Sequence, residues 1–305
     1  MNARKHHYVS QCYLKNFCMT SEKTRHVFVY DKSLMRGYSS NIKDIACKRD
    51  YNRLELPNEK PDVLETSFSK FEKYIDQILQ SVVISKHIND ESLSPIIYLA
   101  SLFHIRNPEF RGNFETSHNK ILQMAAKLAR SMAQSKEEQI KILKRSNLPF
   151  TSELNDETIN VMENGNGYGT SLNRTVLIQA EIDVWTRVFN DLERRKWRLV
   201  KFDQCEGHLV TSDRPVVLCP RDGQCYPKYI GTGTKNTTLY FPLSCNLALI
   251  GEFENETIEI PPNNYYIAML NSIMFSQCIS QVYSSKQTFS ILMENDTIQQ
   301  FNTGA

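Results

Sequence analysis

"VFNDLERRKWRLVKFD", residues 188–203, is where the chain changes its period. Up to Trp197 the apolar residues of 171–197 recur at helical spacing. From Trp197 onward "KWRLVKFD" alternates in the manner of a strand. Reading back from this switch, "VLETSFSKFEKYIDQILQSVV" (63–83) places Leu64, Phe68, Phe71, Ile75, Ile78 and Leu79 on one helical stripe. Residues 94–134 read as one or two helices. Pro95 fits a helix start, and Pro108 should break the run near Arg106 and Asn107. Residues 135–170 are polar and contain the breaker cluster "NGNG", which reads as a surface connection.

Reading forward, "HLVTSDRPVVLCP" (208–220), "TTLYFPLSCNLALIGEF" (237–253), "TIEIPP" (257–262) and "QTFSILME" (287–294) read as strands between Gly, Pro and Asn turns. A helix over 265–285 is inserted before the last of them. Near the start, "HVFVYDKSL" (26–34) reads as a strand and "IKDIACKRDYNR" (42–53) as a turn or short helix. The expected class is α+β. An N-terminal strand segment (1–50) joins a helical middle (60–196) to a mainly antiparallel, β-rich part (197–300), all in one domain of 305 residues.

Composition sets few limits on function. The chain is 41% hydrophobic and 23% charged, with a net charge of +2, so only a local basic patch would argue for nucleic acid. Its start, "MNARKHHYVSQ", lacks the apolar core of a secretion signal. No apolar run approaches the ~18 residues of a membrane span. We therefore expect a cytoplasmic protein without a membrane partner, its eight cysteines reduced. None of them is paired as C-x-x-C, so ligand spacing implies no metal, and a divalent ion remains open as a cofactor.

Three stretches hold the candidate chemistry. The first is "KHHYVSQCYLKNF" (5–17), with His6, His7, Tyr8 and Gln11. Neighbours on a strand point to opposite faces, so at most one histidine enters a given pocket. That histidine suits acid–base work or metal ligation; alternatively, it is a satisfied core histidine. The second is "FHIRNPEFR" (103–111). Arg106 and Arg111 beside a helix break suit an anion cradle. The bland alternative is that Arg106 pairs with Glu65 or Glu72, which lie a heptad apart on one helix face. The third is the bend in "HLVTSDRPVVLCP", where Asp213, flanked by Thr211 and Ser212, orients a histidine, binds a metal or acts as a base. Its alternative is an Asx turn. "GNGYG" (165–169) lacks the Lys-Ser/Thr of a phosphate loop, and the basic "DLERRKWR" (191–198) reads as a solvated helix end.

Together the three stretches resemble the bacterial and phage-associated family called domain of unknown function 4238. Its opening H-H-Y-x-P-x-x-Y-L-x-x-F is matched by His6, His7, Tyr8, Tyr13, Leu14 and Phe17, with Ser10 in place of proline. Its R-x-P-x-[FY]-R element is matched by Arg106, Pro108, Phe110 and Arg111. Its T-S-D-x-P-V is matched by Thr211, Ser212, Asp213, Pro215 and Val216, with Arg214 where asparagine is common. The resemblance spans nearly the whole chain and implies that the motifs share one pocket. It promises no activity.

Two functions follow as expectations. In the first, the chain is a hydrolase acting on a phosphate-bearing substrate, a nuclease by preference, with a phage-defence or toxin role by contextual analogy. His6 or His7 is then the general acid or base, and Asp213 orients it or holds a metal. Arg106 and Arg111 stabilise phosphate charge, and Tyr8, Gln11 and Ser212 bind substrate. Glu65, Glu72 and Thr211 support these residues. In the second, the same pocket senses a nucleotide or other anion without turning it over, within a regulatory or defence assembly that includes a protein partner. A purely structural network is the third alternative.

Overall fold

The structure is a computed structural model. It describes residues 5–19, 25–54, 60–146, 148, 153–164, 172–221, 231–253 and 260–304. The N-terminal part holds β1 (Lys5–His7), α1 (Gln11–Leu14) with a following 3-10 turn (Lys15–Phe17), β2 (His26–Asp31), β3 (Arg36–Asn41) and β4 (Cys47–Arg49). The helical middle holds α2 (Val63–Ser85), α3 (Asp90–Ile105), α4 (Pro108–Met132), α5 (Lys136–Arg145), α6 (Asp156–Asn164) and α7 (Arg174–Glu193). The rest holds β5 (Lys196–Lys201), β6 (Thr211–Ser212), β7 (Val217–Pro220), β8 (Thr237–Ser244), β9 (Leu247–Glu252), α8 (Asn264–Gln277), β10 (Gln281–Ser284), β11 (Thr288–Leu292) and β12 (Ile298–Asn302). The class is α+β, as the period switch at Trp197 implies.

That switch is built from Trp197 itself. Its indole N–H donates to the Leu192 carbonyl at the end of α7, at 2.8 Å. Its ring lies over Gly251, the residue opposite it on β9. A side chain at 251 would collide with the indole, so glycine lets the aromatic ring cover the strand. The sheet runs β5-β9-β8-β7, antiparallel throughout. A second antiparallel sheet, β3-β2-β10-β6, joins the N-terminal hairpin to the end of the chain. Thus "HLVTSDRPVVLCP" divides between two sheets at its bend: β6 goes to one, β7 to the other.

Several boundaries differ from the sequence reading. α3 begins at Asp90, not at Pro95, because Asn89 and Ser92 form a reciprocal capping box that starts the helix earlier. Pro108 does break the run, and Asn107 caps α4 by accepting from Phe110 N at 2.9 Å. The stretch 42–53 contains strand β4, because β1 needs a partner for its backbone groups. Within 135–170, α5 and α6 bury Leu143 and Ile159 against Ala129 of α4. The glycines of "NGNG", all of "GNGYG" and residues 257–259 of "TIEIPP" lie outside the described residues. The helix expected over 265–285 ends at Gln277, and "QVYS" is instead the central strand β10. Among the described residues, no helix is long and apolar enough to cross a membrane, and the seven described cysteines are free thiols.

One core cluster takes in Tyr13 and Phe17 from the N-terminal segment, Ile75, Leu79 and Phe103 from the helices, and Leu239, Phe241 and Leu249 from the sheet. Tyr13 sits at its centre, fully buried. Its ring lies 5.2 Å from Phe103 and 5.3 Å from Phe241, centroid to centroid. Its hydroxyl donates to the Pro242 carbonyl at 2.7 Å, so it accepts from the Thr211 hydroxyl, also at 2.7 Å. Tyr13→Phe keeps the ring and strands both partners without water. Urea denaturation should show a loss of about 1–3 kcal/mol.

Candidate functional site

Strand β1 sends its two histidines to opposite faces. His6 is fully buried, whereas His7 is only half-buried. His6 Nδ1 accepts the Asn52 backbone N–H at 2.9 Å. Glu65 Oε2 comes within 3.8 Å of the same nitrogen, and takes a hydrogen bond from Asn52 Nδ2 at 2.8 Å. An Nδ1 that accepts has no proton to offer Glu65, so this approach is not an ion pair. His7 Nε2 is buried and has no hydrogen-bond partner among the described residues. Burial lowers the His7 pKa, opposed by the backbone of Ile42 and by Glu65.

The break between α3 and α4 places the two arginines. Arg106 caps the C-terminus of α3 and is 5% exposed. Its Nη2 donates to the His7 carbonyl, and its guanidinium carbon lies 4.1 Å from the Phe68 ring centre. Among the described residues its Nε has no partner, and no carboxylate forms an ion pair with it. Burial pulls its pKa down, while Glu72, Glu65 and Glu181 pull it back. Arg111, one turn into α4, is fully engaged. Nε and Nη2 each meet an oxygen of Glu181 at 2.6 Å, and Nη1 donates to the Tyr51 carbonyl. The guanidinium also covers the Tyr51 ring at 3.5 Å. Burial pushes the Glu181 carboxyl upward and Arg111 opposes it.

Glu72 is the odd member. It is half-buried, forms no hydrogen bond among the described residues, and burial pushes its pKa up to about 7. Arg106 lowers it and Glu65 raises it. Tyr8 closes one side of the cluster, its ring centre 6.0 Å from that of Tyr51, with its phenol pKa raised by burial. Gln11 opens α1 half-buried and, among the described residues, without a side-chain partner. A crevice of about 130 Å³ runs between α2, α3 and α7. Phe68, Ile105, Ile182 and Trp185 line it, and Arg106 and Glu181 are its polar members.

The third stretch does not join this cluster. Asp213 is 1% exposed, and its carboxylate accepts the N–H groups of Ile279, Ser280 and Gln281 and the Ser280 hydroxyl, at 2.8–3.0 Å. It meets neither histidine. Burial pushes its pKa up and the four donors pull it back. Ser212 is turned onto Arg214 and Met274, and Thr211 onto Tyr13. The three residues pin the bend to the start of β10. The two regions touch through an ion pair between Arg214 and Glu109, at 2.5 Å. Among the described residues, no group of three His, Cys, Asp or Glu is placed to hold a metal ion.

Arg106 therefore does not pair with Glu65 or Glu72; the paired arginine is Arg111, and its partner Glu181 was missed. The sequence did carry a signal. Ile178, Glu181, Val188 and Leu192 are the buried positions of α7, so Glu181 is an acid inside an apolar stripe. A buried acid implies a buried cation. Tyr51 and Asn52, which act through the ring and the side-chain amide as well as through backbone groups, carried no such mark.

A family model described as "Protein of unknown function (DUF4238)" matches residues 5–288, and the chain belongs to that family. No curated protein and no solved structure matches it.

Two outcomes follow from the geometry. Glu181→Gln leaves Arg111 buried without its counter-charge, and should lower stability by about 3–5 kcal/mol in urea denaturation. Glu72 behaves oppositely. The folded chain holds its proton up to about 7, against an ordinary value of 4.5. Its contribution to stability is thus present at low pH and lost as pH rises between those values. Glu72→Gln should melt higher than the wild type at pH ~8, by about 2 kcal/mol, and the two should converge near pH ~4.

Proposed function

We propose that this chain is a ligand-sensing module. It binds a small molecule with a ring-sized apolar body and one anionic group, without turning it over. The observation that carries this reading is Arg106. A guanidinium that is 5% exposed, with one hydrogen bond to a carbonyl and an unpartnered Nε, borders an apolar crevice. Desolvating a cation without a matched anion is unfavourable, and a ligand anion would relieve it. The crevice volume of about 130 Å³ is close to the ~150 Å³ that accommodates a benzene ring. Phe68 and Trp185 supply the apolar walls.

Electrostatics argue against a polyanion. Arg106 and Arg111 are surrounded by Glu65, Glu72 and Glu181, so the cluster has no surplus positive charge for a nucleic-acid backbone. The hydrolase reading keeps one supporting observation. Glu72, with a pKa of about 7, and the unpartnered His7 Nε2 lie near Arg106, as an acid–base pair would require.

Benzoate and phenyl phosphate are suitable probes. At about a hundredfold excess over its Kd, a bound probe stabilises the fold by about 2.7 kcal/mol in thermal melting. Arg106→Met should fold and lose this response. Ile182→Trp, at a 41% exposed position lining the crevice, should also lose it by filling the space. If neither probe shifts the wild type, the sensing reading fails. If instead the wild type degrades RNA or DNA and Glu72→Gln stops it without altering the melt, the hydrolase reading replaces it.

A further inference from the structure

Helix α4 carries a second unexplained feature, on a face remote from its buried side. Leu122, Ala126 and Ala129 are buried, and this face packs on α5 and α6. A different stripe faces solvent: Ile121 (48% exposed), Met124 (62%), Leu128 (62%) and Met132 (63%). The spacing of its first three residues is three and then four, the alternation of a coiled-coil seam. A helix of a monomer ordinarily turns such a seam into its own core.

The flanks of the seam carry one sign of charge. If Ile121 and Leu128 take the a positions, Lys120 and Lys127 take g, immediately beside them. Both lysines are exposed and neither has an ion-pair partner among the described residues. From Thr116 to Met132 the helix has no Asp or Glu, and it carries Lys120, Lys127 and Arg130. Arg130 already pairs with Glu163 of α6.

From this we infer that the exposed face of α4 is a docking surface for an acidic amphipathic helix of a partner protein. The charge pattern chooses this occupant over a second copy of the chain. In an antiparallel pair of α4 helices, the g lysines would face each other and repel. In a parallel pair they would face Ala125 and Met132 and gain no counter-charge. A helix with apolar a and d positions and glutamates at e and g satisfies both the seam and the lysines.

The test uses the full chain and a labelled synthetic peptide of about three heptads, with Leu at a and d and Glu at e and g. A twin peptide carries Lys at e and g. Fluorescence anisotropy should show binding of the Glu peptide, weakening as salt is added, and none of the Lys twin. Leu128→Glu should weaken the Glu peptide by at least about tenfold. Lys120→Glu combined with Lys127→Glu should reverse the preference between the peptides. All these positions are solvent-facing, so thermal melting of the variants should match the wild type. The inference is overturned if the Glu peptide does not bind, or if the double charge reversal leaves its binding unchanged. It is also overturned if sedimentation shows a wild-type dimer that Leu128→Glu converts to monomer, which would make the occupant a second copy.

Discussion

The burial of Tyr13 is the constraint on which the rest depends. A short N-terminal segment enters between helices and sheet, and one ring contacts both: Phe103 from α3 and Phe241 from β8. Its hydroxyl ties Thr211 at the end of β6 to Pro242 in β8, strands that belong to different sheets. With Tyr13 fixed, β1 precedes it in extended conformation, and β4 supplies that strand's hydrogen bonds. His6 then turns onto Asn52 and the His7 carbonyl onto Arg106. The odd chemistry of the N-terminus is thus first a consequence of packing.

Much of this was legible in the sequence, and the reasons for success and failure are physical. The switch of period at Trp197 is a strong signal because helix and sheet demand different spacings over many residues. Pro95 misled because a capping box that begins six residues earlier in the chain, at Asn89, outweighs a proline's preference for the first turn. The strand at 281–284 was hidden because "QVYS" is too short to show alternation and follows a helix after only three residues. Its identity is set by neighbours distant in sequence, β2 and β6.

The polar cluster was legible in its members but not in their pairing. His6, His7, Tyr8, Glu65, Glu72, Arg106 and Arg111 do come together. Asp213 does not, although it lies within a well-marked motif. A carboxylate at a bend is equally able to project into a cleft or to collect backbone donors, and local sequence does not distinguish these. Here three consecutive N–H groups after α8 converge on it, and the hydroxyl of Ser280 takes the remaining direction. The decisive donors lie more than sixty residues away, at positions 279–281.

Arg106 and Arg111 make the sharpest contrast, because they leave the same helix break and meet different fates. Both guanidiniums are removed from water, and each lies over an aromatic ring. Arg111 is compensated in full, by two hydrogen bonds to one carboxylate and a third to a carbonyl. Arg106 is compensated by a single carbonyl, with three carboxylates near enough to favour its charge but none in contact. A fold selected only for stability would have an apolar side chain at 106, since well-packed hydrophobic groups commonly replace buried ions without loss. Position 106 instead holds a cation whose electrostatic demand the fold leaves unmet. Unmet demand at the edge of an apolar crevice is the feature on which the proposed binding role rests, and it sets Arg106 apart from its neighbour five residues on.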